Sequence, residues 1–481
     1  METWLRRLPS PLVGVGVAQL AIVVAFTVAR GPQDTDYWWH LTTGRLIAER
    51  GSLPTLDPFS FTYGGPWVLH EWLGELLIYL LVSGVGLAAT SAIFGFIAGL
   101  PFVMLAADLR RHGVRVATLT IVTSLGIWVT LSYALLRPQV LSWAMLAVLV
   151  LLLRSFRAWR PGRVLWLVPF FALWANLHGL YVVGLGVVGI YLAFTLLRRT
   201  PMADARGWAA VAFSAAVAGS LLTPTGVEGL LYPLRYIDAG DWGLAHISEW
   251  QSPDFHELGQ LGLLALVIAT AGIGISVAPG WLATLALVGV AMGLLAVRNG
   301  PVAAVLATPA LAIALNARLP ARPGSSLKPA PEQIGRRILE FSATAIVAVA
   351  AIVALPSIAQ SKPADYFPVS GADRLLIIQP AARVFGEYSW GGYLIHRLYP
   401  TGGRVFVDGR NDMYGDRILE DYTTAVNAEV GWSPILDGYG VTAILLPPDK
   451  PLVRGPAQAA GWCEAYRDDR QVLLLHDCPA G

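Results

Sequence analysis

Long apolar segments constrain this chain more than any other feature of its sequence. They lie at residues 11–30, 86–108, 116–136, 139–153, 164–176, 179–196, 208–222, 259–277, 281–297, 300–316 and 338–358. In lipid, backbone polar groups must be hydrogen-bonded within their own segment, so each segment is predicted to be a helix. Several are shorter than the ~20 residues of a full span, which predicts tilted or partial helices that face protein.

The composition agrees with a membrane protein. Of the 481 residues, 55% are hydrophobic and only 14% are charged. The formal net charge of +2 is too small to indicate binding to nucleic acid, so no such partner is expected. The first apolar segment has the position of a signal peptide, but no A-x-A-like cleavage site follows it.

Basic residues near the segment ends predict the orientation, because such residues favour the cytoplasmic side. They precede the first segment and follow the second, fourth, sixth and tenth: Arg6, Arg7, Arg110, Arg111, Arg115, Arg154, Arg157, Arg160, Arg163, Arg198, Arg199, Arg318, Arg322, Lys328, Arg336 and Arg337. Placing all of them in the cytoplasm requires about eleven crossings, a cytoplasmic N-terminus and an extracytoplasmic C-terminus. That parity holds only if Leu69–Val82 does not cross, so this stretch is predicted to be an interfacial or re-entrant helix.

Beyond residue 360 the composition becomes that of a soluble protein. Strand-like and helix-like stretches alternate there, in ARVFGEY, WGGYLIHRL, RVFVDGR, GDRILEDYTTAV and VTAILLPP, which predicts a small α/β domain. We therefore predict a transmembrane domain at 1–360, with outer loops at 31–85 and 223–258, and an extracytoplasmic α/β domain at 361–481. The predicted fold class is an α-helical polytopic membrane protein of about 11 transmembrane helices with this C-terminal domain.

The only two cysteines, Cys463 and Cys478, lie in the last segment of the chain. A hairpin that turns at Arg470–Gln471 would place them directly opposite each other, at a spacing that suits a disulfide. An oxidising compartment would permit this bond, in agreement with the extracytoplasmic placement. The alternative is two unpaired thiols in separate strands.

The first outer loop is the densest collection of chemically capable residues. It opens with Asp34 and Asp36, followed by Trp38, Trp39 and His40. A carboxylate at a membrane face can act as a general base towards a hydroxyl or help to hold a divalent cation. The two tryptophans suit both the membrane interface and stacking on a sugar. The alternative interpretation is an aromatic belt with solvated aspartates.

Two further acid-containing clusters in the same loop favour a functional interpretation. Asp57 lies in a turn-rich stretch, and His70 and Glu71 open the predicted interfacial helix. Three separated clusters of this kind are difficult to explain by solubility alone. We therefore interpret these three residues as lining a sugar or acceptor site.

Polar residues also interrupt the apolar segments at predicted outer ends. They are Arg137 in RPQ, Asn176 and His178 in WANLHG, and Arg298 in an RN pair. Ionisable groups at membrane depth are costly and usually face a functional cavity. Arg137, Arg298 and His178 are predicted to bind a lipid-linked phosphate, and Asn176 to line the site. The alternative for each arginine is an outer-loop residue that extends to the lipid headgroups.

The second outer loop and the C-terminal domain supply weaker candidates. Glu249 and Trp250, in EWQSPDF, are predicted to line an acceptor groove, although their spacing matches no metal motif. Gly391-Gly392 follows a predicted strand, but neither GxGxxG nor GxxxxGK[ST] is present, so nucleotide binding is not favoured. The segment Asp408–Arg410 is predicted to form a turn or to contact the membrane domain or the acceptor.

These motifs together resemble the GT-C superfamily of polytopic membrane glycosyltransferases, and more narrowly a bacterial, uncharacterised GT-C-like group. The resemblance rests on DTDYWWHLTTG, LDPFSFT, HEWLGE, RPQ, WANLHG, EWQSPDF, RN and the WGGYL…DGR…YGD tail, which run from Asp34 to Asp416. It implies a GT-C-like fold and a polyprenyl-phosphate-linked sugar as donor. It also implies that an acid of the first outer loop is the catalytic base; Asp36 matches that position, with Asp34 as the second candidate. Arg137 and Arg298 would then neutralise the departing lipid phosphate.

The sequence departs from the family pattern in two places. An NPxG-like element reads Thr223-Pro224-Thr225-Gly226, without the asparagine. No second Asp-x-Asp follows the third span, which argues against an obligatory metal. No cofactor is therefore expected, although a divalent cation is compatible with the sequence.

The resulting hypothesis is an inverting glycosyltransferase of the bacterial inner membrane. It would transfer a sugar from a polyprenyl-phosphate-linked donor to a glycan, lipid or protein acceptor of the cell envelope. The high alanine, glycine and arginine content and the scarce lysine suggest a bacterial source. Two alternatives remain: a transporter or lipid flippase, which should show inverted repeats, and a non-catalytic scaffold whose α/β domain binds a partner.

Overall fold

The computed structural model describes residues 11–155, 161–197, 203–232, 246–273, 275–320 and 362–476. Its α-helices are α1 (Pro11–Arg30), α2 (Tyr37–Arg50), α3 (Trp72–Arg111), α4 (Val116–Leu131), α5 (Gln139–Ser155), α6 (Leu167–Leu177), α7 (Tyr181–Leu197), α8 (Ala203–Ser220), α9 (Val227–Leu231), α10 (Leu261–Ile273), α11 (Gly280–Leu295), α12 (Gly300–Arg318), α13 (Val369–Ile378), α14 (Gly391–Leu398), α15 (Asn411–Val426), α16 (Trp432–Tyr439) and α17 (Pro456–Ala459). The strands are β1 (Arg383–Gly386), β2 (Arg404–Val405), β3 (Ala443–Leu446), β4 (Cys463–Arg467) and β5 (Val472–Leu475).

The chain forms two compact units, and each is discontinuous in sequence. The first contains residues 1–30, 87–226 and 249–360, and the second contains 31–86, 227–248 and 361–481. The first outer loop and the C-terminal α/β segment were predicted to lie in different domains, but they belong to one unit. The outer loop and this domain can therefore build a site jointly.

The first unit is helical, as the apolar segments predict. Helices α1, α4 to α8 and α10 to α12, together with the later part of α3, coincide with ten of the predicted segments. The segment 338–358 lies outside the described residues. Pro11–Arg30, Trp72–Arg111 and Val297–Arg318 are long and apolar enough to cross a membrane, and shorter apolar helices accompany them. The predicted polytopic helical membrane fold is confirmed.

A glycine divides the long helix α3 between the two units. Gly86 has φ +83°, a left-handed conformation that favours glycine, and its backbone is not helical. The part before it, Trp72–Val85, belongs to the second unit and contains most of the predicted interfacial helix Leu69–Val82. Its position relative to the membrane stays a prediction.

The sheet of the second unit has the strand order β2-β1-β3-β5-β4. Strand β1 runs parallel to both β2 and β3, whereas β5 is antiparallel to β3 and β4. The residues of β3 and β5 are all buried, which places the core of the domain at the centre of the sheet. The predicted small α/β domain is therefore present.

The register of the last hairpin differs from the prediction. Cys463 pairs with Leu475, and a bulge interrupts β4 between Glu464 and Tyr466. The turn forms earlier than expected because Asp468 accepts hydrogen bonds from the backbone N–H groups of Arg470 and Gln471, at 2.8 and 2.9 Å. Directly opposite placement of the cysteines was thus wrong. Cys463 is nevertheless disulfide-bonded, and Cys478, its predicted partner, lies outside the described residues.

Candidate functional site

The two aspartates of the first outer loop have different environments, although only one residue separates them. Asp34 is 4% exposed, and its carboxylate accepts a hydrogen bond of 3.0 Å from the backbone N–H of Asp36. Asp36 precedes the first residue of α2, is half-buried, and makes no capping hydrogen bond to that helix. Asp34 therefore holds the backbone from which the more accessible Asp36 carboxylate projects.

The carboxylate of Asp36 reaches a glycine of the C-terminal domain. Oδ1 of Asp36 lies so close to Gly409 that a Cβ atom at that position would overlap it. The Asp-Gly-Arg segment thus contacts the first outer loop, and only a residue without a side chain leaves room for the carboxylate.

Next to this glycine, Arg410 forms a buried ion-pair network. Its guanidinium is 3% exposed and donates hydrogen bonds of 2.7 Å to Asp57 and to Asp408. The hydroxyl of Tyr414 donates a further hydrogen bond to Asp408. Burial alone would raise the pKa of Asp408, but the charge and hydrogen bonds of Arg410 hold that pKa below its ordinary value. Asp57, which was predicted to line a sugar site, connects the outer loop to the C-terminal domain through this ion pair.

The aromatic residues around this network are part of the core. Trp38 and Trp39 are 8% and 6% exposed, so neither presents an open face on which a sugar can stack. Trp38 packs edge-on against Tyr393 with ring centroids 5.1 Å apart. The guanidinium of Arg410 lies 5.9 Å from the ring of Trp39 and 4.8 Å from that of Trp67.

Three buried residues of the second unit have the donor set of a metal site. The ligating atoms of His40, Glu71 and Glu75 all lie within 4.8 Å of one another. Nδ1 of His40 is 3.3 Å from Oε1 of Glu75, and Nε2 of His70 is 3.9 Å from Oε1 of Glu71. Among the predicted site residues, His40, His70 and Glu71 are thus brought together.

A half-buried aspartate and a buried tyrosine form a pair close to this group. The hydroxyl of Tyr232 donates a hydrogen bond to Asp412, and the ring of Tyr232 lies 4.8 Å from that of His70. Burial raises the pKa of Asp412 to about 7. This aspartate therefore changes its protonation near neutral pH.

In the first unit, residues from three separate connections meet. Nη1 of Arg137 donates a hydrogen bond of 2.9 Å to Glu249, and the guanidinium of Arg298 lies 5.5 Å from the ring of Trp250. The backbone N–H of Val297 donates to the carbonyl of Gln251 at 3.0 Å. These contacts gather both predicted phosphate-binding arginines and the two acceptor residues predicted in the second outer loop at the same end of α4, α5, α11 and α12.

Electrostatics indicate that this cluster keeps Glu249 ionised. Burial by itself would raise the pKa of Glu249, but the charges of Arg137 and Arg298 lower it below its ordinary value. Two arginines and one ionised carboxylate leave a formal charge of +1. The cluster can accept one further anionic group, such as a phosphate oxygen.

His178 and Asn176 fix local backbone in the first unit. Nδ1 of His178 lies 3.2 Å from Oγ of Ser142 and accepts the backbone N–H of Leu180 at 3.1 Å. The amide of Asn176 donates to the carbonyls of Ala172 and Leu222, at 2.7 and 2.8 Å. Asn176 thus links α6 to the turn after α8, and the predicted roles of Asn176 and His178 in the site stay predictions.

Solved structures with a similar fold are known. ArnT from Cupriavidus metallidurans in the apo state is 14% identical, with a TM-score of 0.54 over 96% of this chain and 97% of that chain. ArnT from the same organism bound to undecaprenyl phosphate is 13% identical, with a TM-score of 0.47 over the same shares of the two chains. No protein-family model matches this chain, and no curated protein matches it either.

ArnT is a GT-C glycosyltransferase, so the predicted GT-C-like fold is confirmed. The chain is a membrane protein with this fold along almost its whole length. At this level of identity the similarity establishes the fold, and the function must be argued from the sites.

Sequence reasoning did not identify all the residues that build these sites. Glu75, which lies in the predicted interfacial helix, was not named as a site residue, and neither were Asp412 and Tyr414. For Glu75 a signal was present, since Glu71 and Glu75 have the i, i+4 spacing that places two side chains on one helix face. No comparable signal links Arg410 to Asp57, because 353 residues separate them.

Proposed function

We propose that this protein is an inverting membrane glycosyltransferase that uses a polyprenyl-phosphate-linked sugar as donor. The acceptor is a glycan, lipid or protein of the bacterial cell envelope, on the extracytoplasmic face of the inner membrane. The observation that carries the proposal is the half-buried carboxylate of Asp36, oriented by Asp34 and Gly409 in a chain with a GT-C-like fold.

In the proposed reaction, Asp36 is the general base. Its carboxylate takes the proton of an acceptor hydroxyl while that oxygen attacks the anomeric carbon of the donor sugar. The bond between the anomeric carbon and the phosphate oxygen breaks, and polyprenyl phosphate leaves with the bonding electrons. This single displacement inverts the anomeric configuration. Its atoms and charges balance without a cofactor.

We assign the donor phosphate to Arg137 and Arg298. Arg137 offers a planar set of donors that suits phosphate, and its hydrogen bond to Glu249 already fixes its direction. Arg298 is held over the ring of Trp250. Both arginines would oppose the negative charge that builds on the phosphate as the sugar departs.

Binding of undecaprenyl phosphate to the purified full chain tests this assignment. Removing one charge-assisted hydrogen bond costs about 1.5–3 kcal/mol, so Arg137→Gln and Arg298→Gln should each weaken binding roughly 10- to 100-fold. Arg111→Gln, at the exposed last residue of α3, is the matched control and should bind as the wild type does. Equal affinity in all four proteins would reject the phosphate site.

A further inference from the structure

A second site is built where α2 meets the beginning of α3. His40 is one turn into α2, Glu71 immediately precedes α3, and Glu75 lies in its first turn. The backbone N–H of Glu75 donates to the carbonyl of Glu71 at 3.1 Å, so the two glutamates are one helical turn apart. Their carboxylates therefore point to the same side, towards His40.

A glycine allows the two helices to approach each other this closely. A Cβ atom at Gly44 would overlap the backbone carbonyl of Glu75 and would lie 2.7 Å from Cβ of Tyr79. Gly44 is one turn beyond His40 on the same face of α2. The helix crossing therefore brings the imidazole of His40 against the carboxylate of Glu75.

The two buried carboxylates of this cluster favour a bound cation. His40, Glu71 and Glu75 are only 3%, 8% and 0% exposed. Oε2 of Glu75 is buried and has no hydrogen-bond partner in the part of the chain that the structure describes. Two buried carboxylates so close together repel each other, and burial without compensation is costly. The nearby Arg410 is already committed to Asp57 and Asp408.

We propose that His40, Glu71 and Glu75 bind a divalent first-row cation, with Zn²⁺ as the preferred ion. One imidazole and two carboxylates form a mixed nitrogen and oxygen donor set, which suits Zn²⁺ and Mn²⁺ better than Mg²⁺. Zn²⁺ bonds of about 2.0–2.2 Å would require the three donor atoms to contract from their present spread by rotation of the side chains. Three protein ligands leave a fourth position for water or substrate.

This site is independent of the reaction proposed for Asp36. The ion would join α2, whose first residue follows Asp36, to the beginning of α3, and so rigidify the outer loop. Loss of the metal and loss of polyprenyl phosphate binding are measured separately, so either proposal can fail alone.

The metal content of the purified full chain tests this inference. The protein is stripped with EDTA, incubated with Zn²⁺ or Mn²⁺, freed of unbound ion and measured by inductively coupled plasma mass spectrometry. We expect about one ion per wild-type chain and a clear loss in His40→Ala and in Glu75→Gln. Glu49→Gln, at a 63% exposed side chain of α2, and His256→Ala, at an exposed histidine, should retain the ion.

A spectroscopic measurement distinguishes the loss of a metal ligand from a failure to fold. Co²⁺ bound to the wild-type protein should give a visible absorption band that Glu71→Gln shifts or removes, and Zn²⁺ should displace the Co²⁺. Retention of Mn²⁺ but not Zn²⁺ would support the metal site and show that Mn²⁺ is the preferred ion. The proposal would be overturned if the wild-type chain retained neither ion. It would also be overturned if His40→Ala and Glu75→Gln retained the ion as well as the wild type does.

Discussion

At the scale of single residues, two similar carboxylates of the first outer loop lie in different environments. Asp34 is buried and accepts the backbone N–H of Asp36, whereas Asp36 is half-buried and projects from the start of α2. Catalytic chemistry requires a carboxylate that a substrate can reach, and a buried partner that keeps it in place. We therefore propose that the pair acts as one unit, with Asp36 as the base and Asp34 as a positioning residue.

Replacement of Asp36 by asparagine tests this division. Removal of a general base commonly costs about 10²–10⁴-fold in rate, and we expect a loss in this range for sugar transfer by Asp36→Asn. Asp34→Asn keeps a hydrogen-bond acceptor and should lose less activity. Transfer rates and thermal unfolding of both variants are the measurements. Full activity of Asp36→Asn, in a protein that unfolds like the wild type, would refute the assignment.

The raised pKa of Asp412 predicts a pH-dependent stability. This pKa is about 7 in the folded protein, against about 3.9 in an unfolded chain. The folded state thus binds more protons between these values, so the contribution of Asp412 to stability falls as the pH rises from about 4 to about 7. Asp412→Asn remains neutral and can still accept the hydroxyl of Tyr232.

Thermal unfolding across this pH range measures the effect. We expect Asp412→Asn to match the wild type near pH 4 and to exceed it by about 1–2 kcal/mol above pH 7. Asp416→Asn, at an exposed aspartate of the same helix, is the control. The same stability difference at every pH would show that Asp412 does not titrate in this range.

At the scale of secondary-structure elements, Arg410 links the outer loop to the C-terminal sheet. Its ion pairs with Asp57 and Asp408 are nearly inaccessible to solvent, so removing the arginine leaves two buried carboxylates uncompensated. Such a change typically costs about 3–5 kcal/mol. We expect Arg410→Met to lower the unfolding temperature markedly, while Arg404→Met, at an exposed arginine of β2, has little effect.

The same network sets the expected response to acid. The pKa of Asp408 lies below its ordinary value in the folded protein, so its stabilising contribution is present above about pH 4 and is lost as the pH falls through the lower, folded pKa. Acid should therefore destabilise the wild type more steeply than Arg410→Met. Parallel acid unfolding curves for the two proteins would contradict this account.

Helices and strands were predictable, and the contacts between distant segments were not. Apolar runs specify α1 and α4 to α8 because lipid permits few other backbone conformations, and strand–helix alternation specifies the C-terminal domain. The hairpin register failed because the side chain of Asp468, rather than hydrophobic pattern, places its turn. Burial of Trp38 and Trp39 was missed because an aromatic residue near a membrane suits both an interface and a core.

At the scale of the whole molecule, positive charges and cysteines predict one orientation. The basic clusters predict a cytoplasmic N-terminus and an extracytoplasmic C-terminal domain. The disulfide bond of Cys463 agrees with an oxidising compartment. We expect no reactive thiol in the protein isolated without reductant and two after reduction under denaturing conditions. Two reactive thiols in the non-reduced protein would argue against the extracytoplasmic domain.

The most direct test of the central claim is consumption of a polyprenyl-phosphate-linked sugar. Purified wild-type protein and Asp36→Asn are incubated with the lipid extract and envelope acceptors of the source cells, and the lipids are followed by mass spectrometry. The wild type should deplete one polyprenyl-phosphate sugar and release an equal amount of polyprenyl phosphate, whereas Asp36→Asn should leave the donor intact. The proposed transferase would be contradicted if the wild type left the donor pool unchanged in the presence of the envelope acceptors. Equal depletion of the donor by the wild type and Asp36→Asn would contradict it as well.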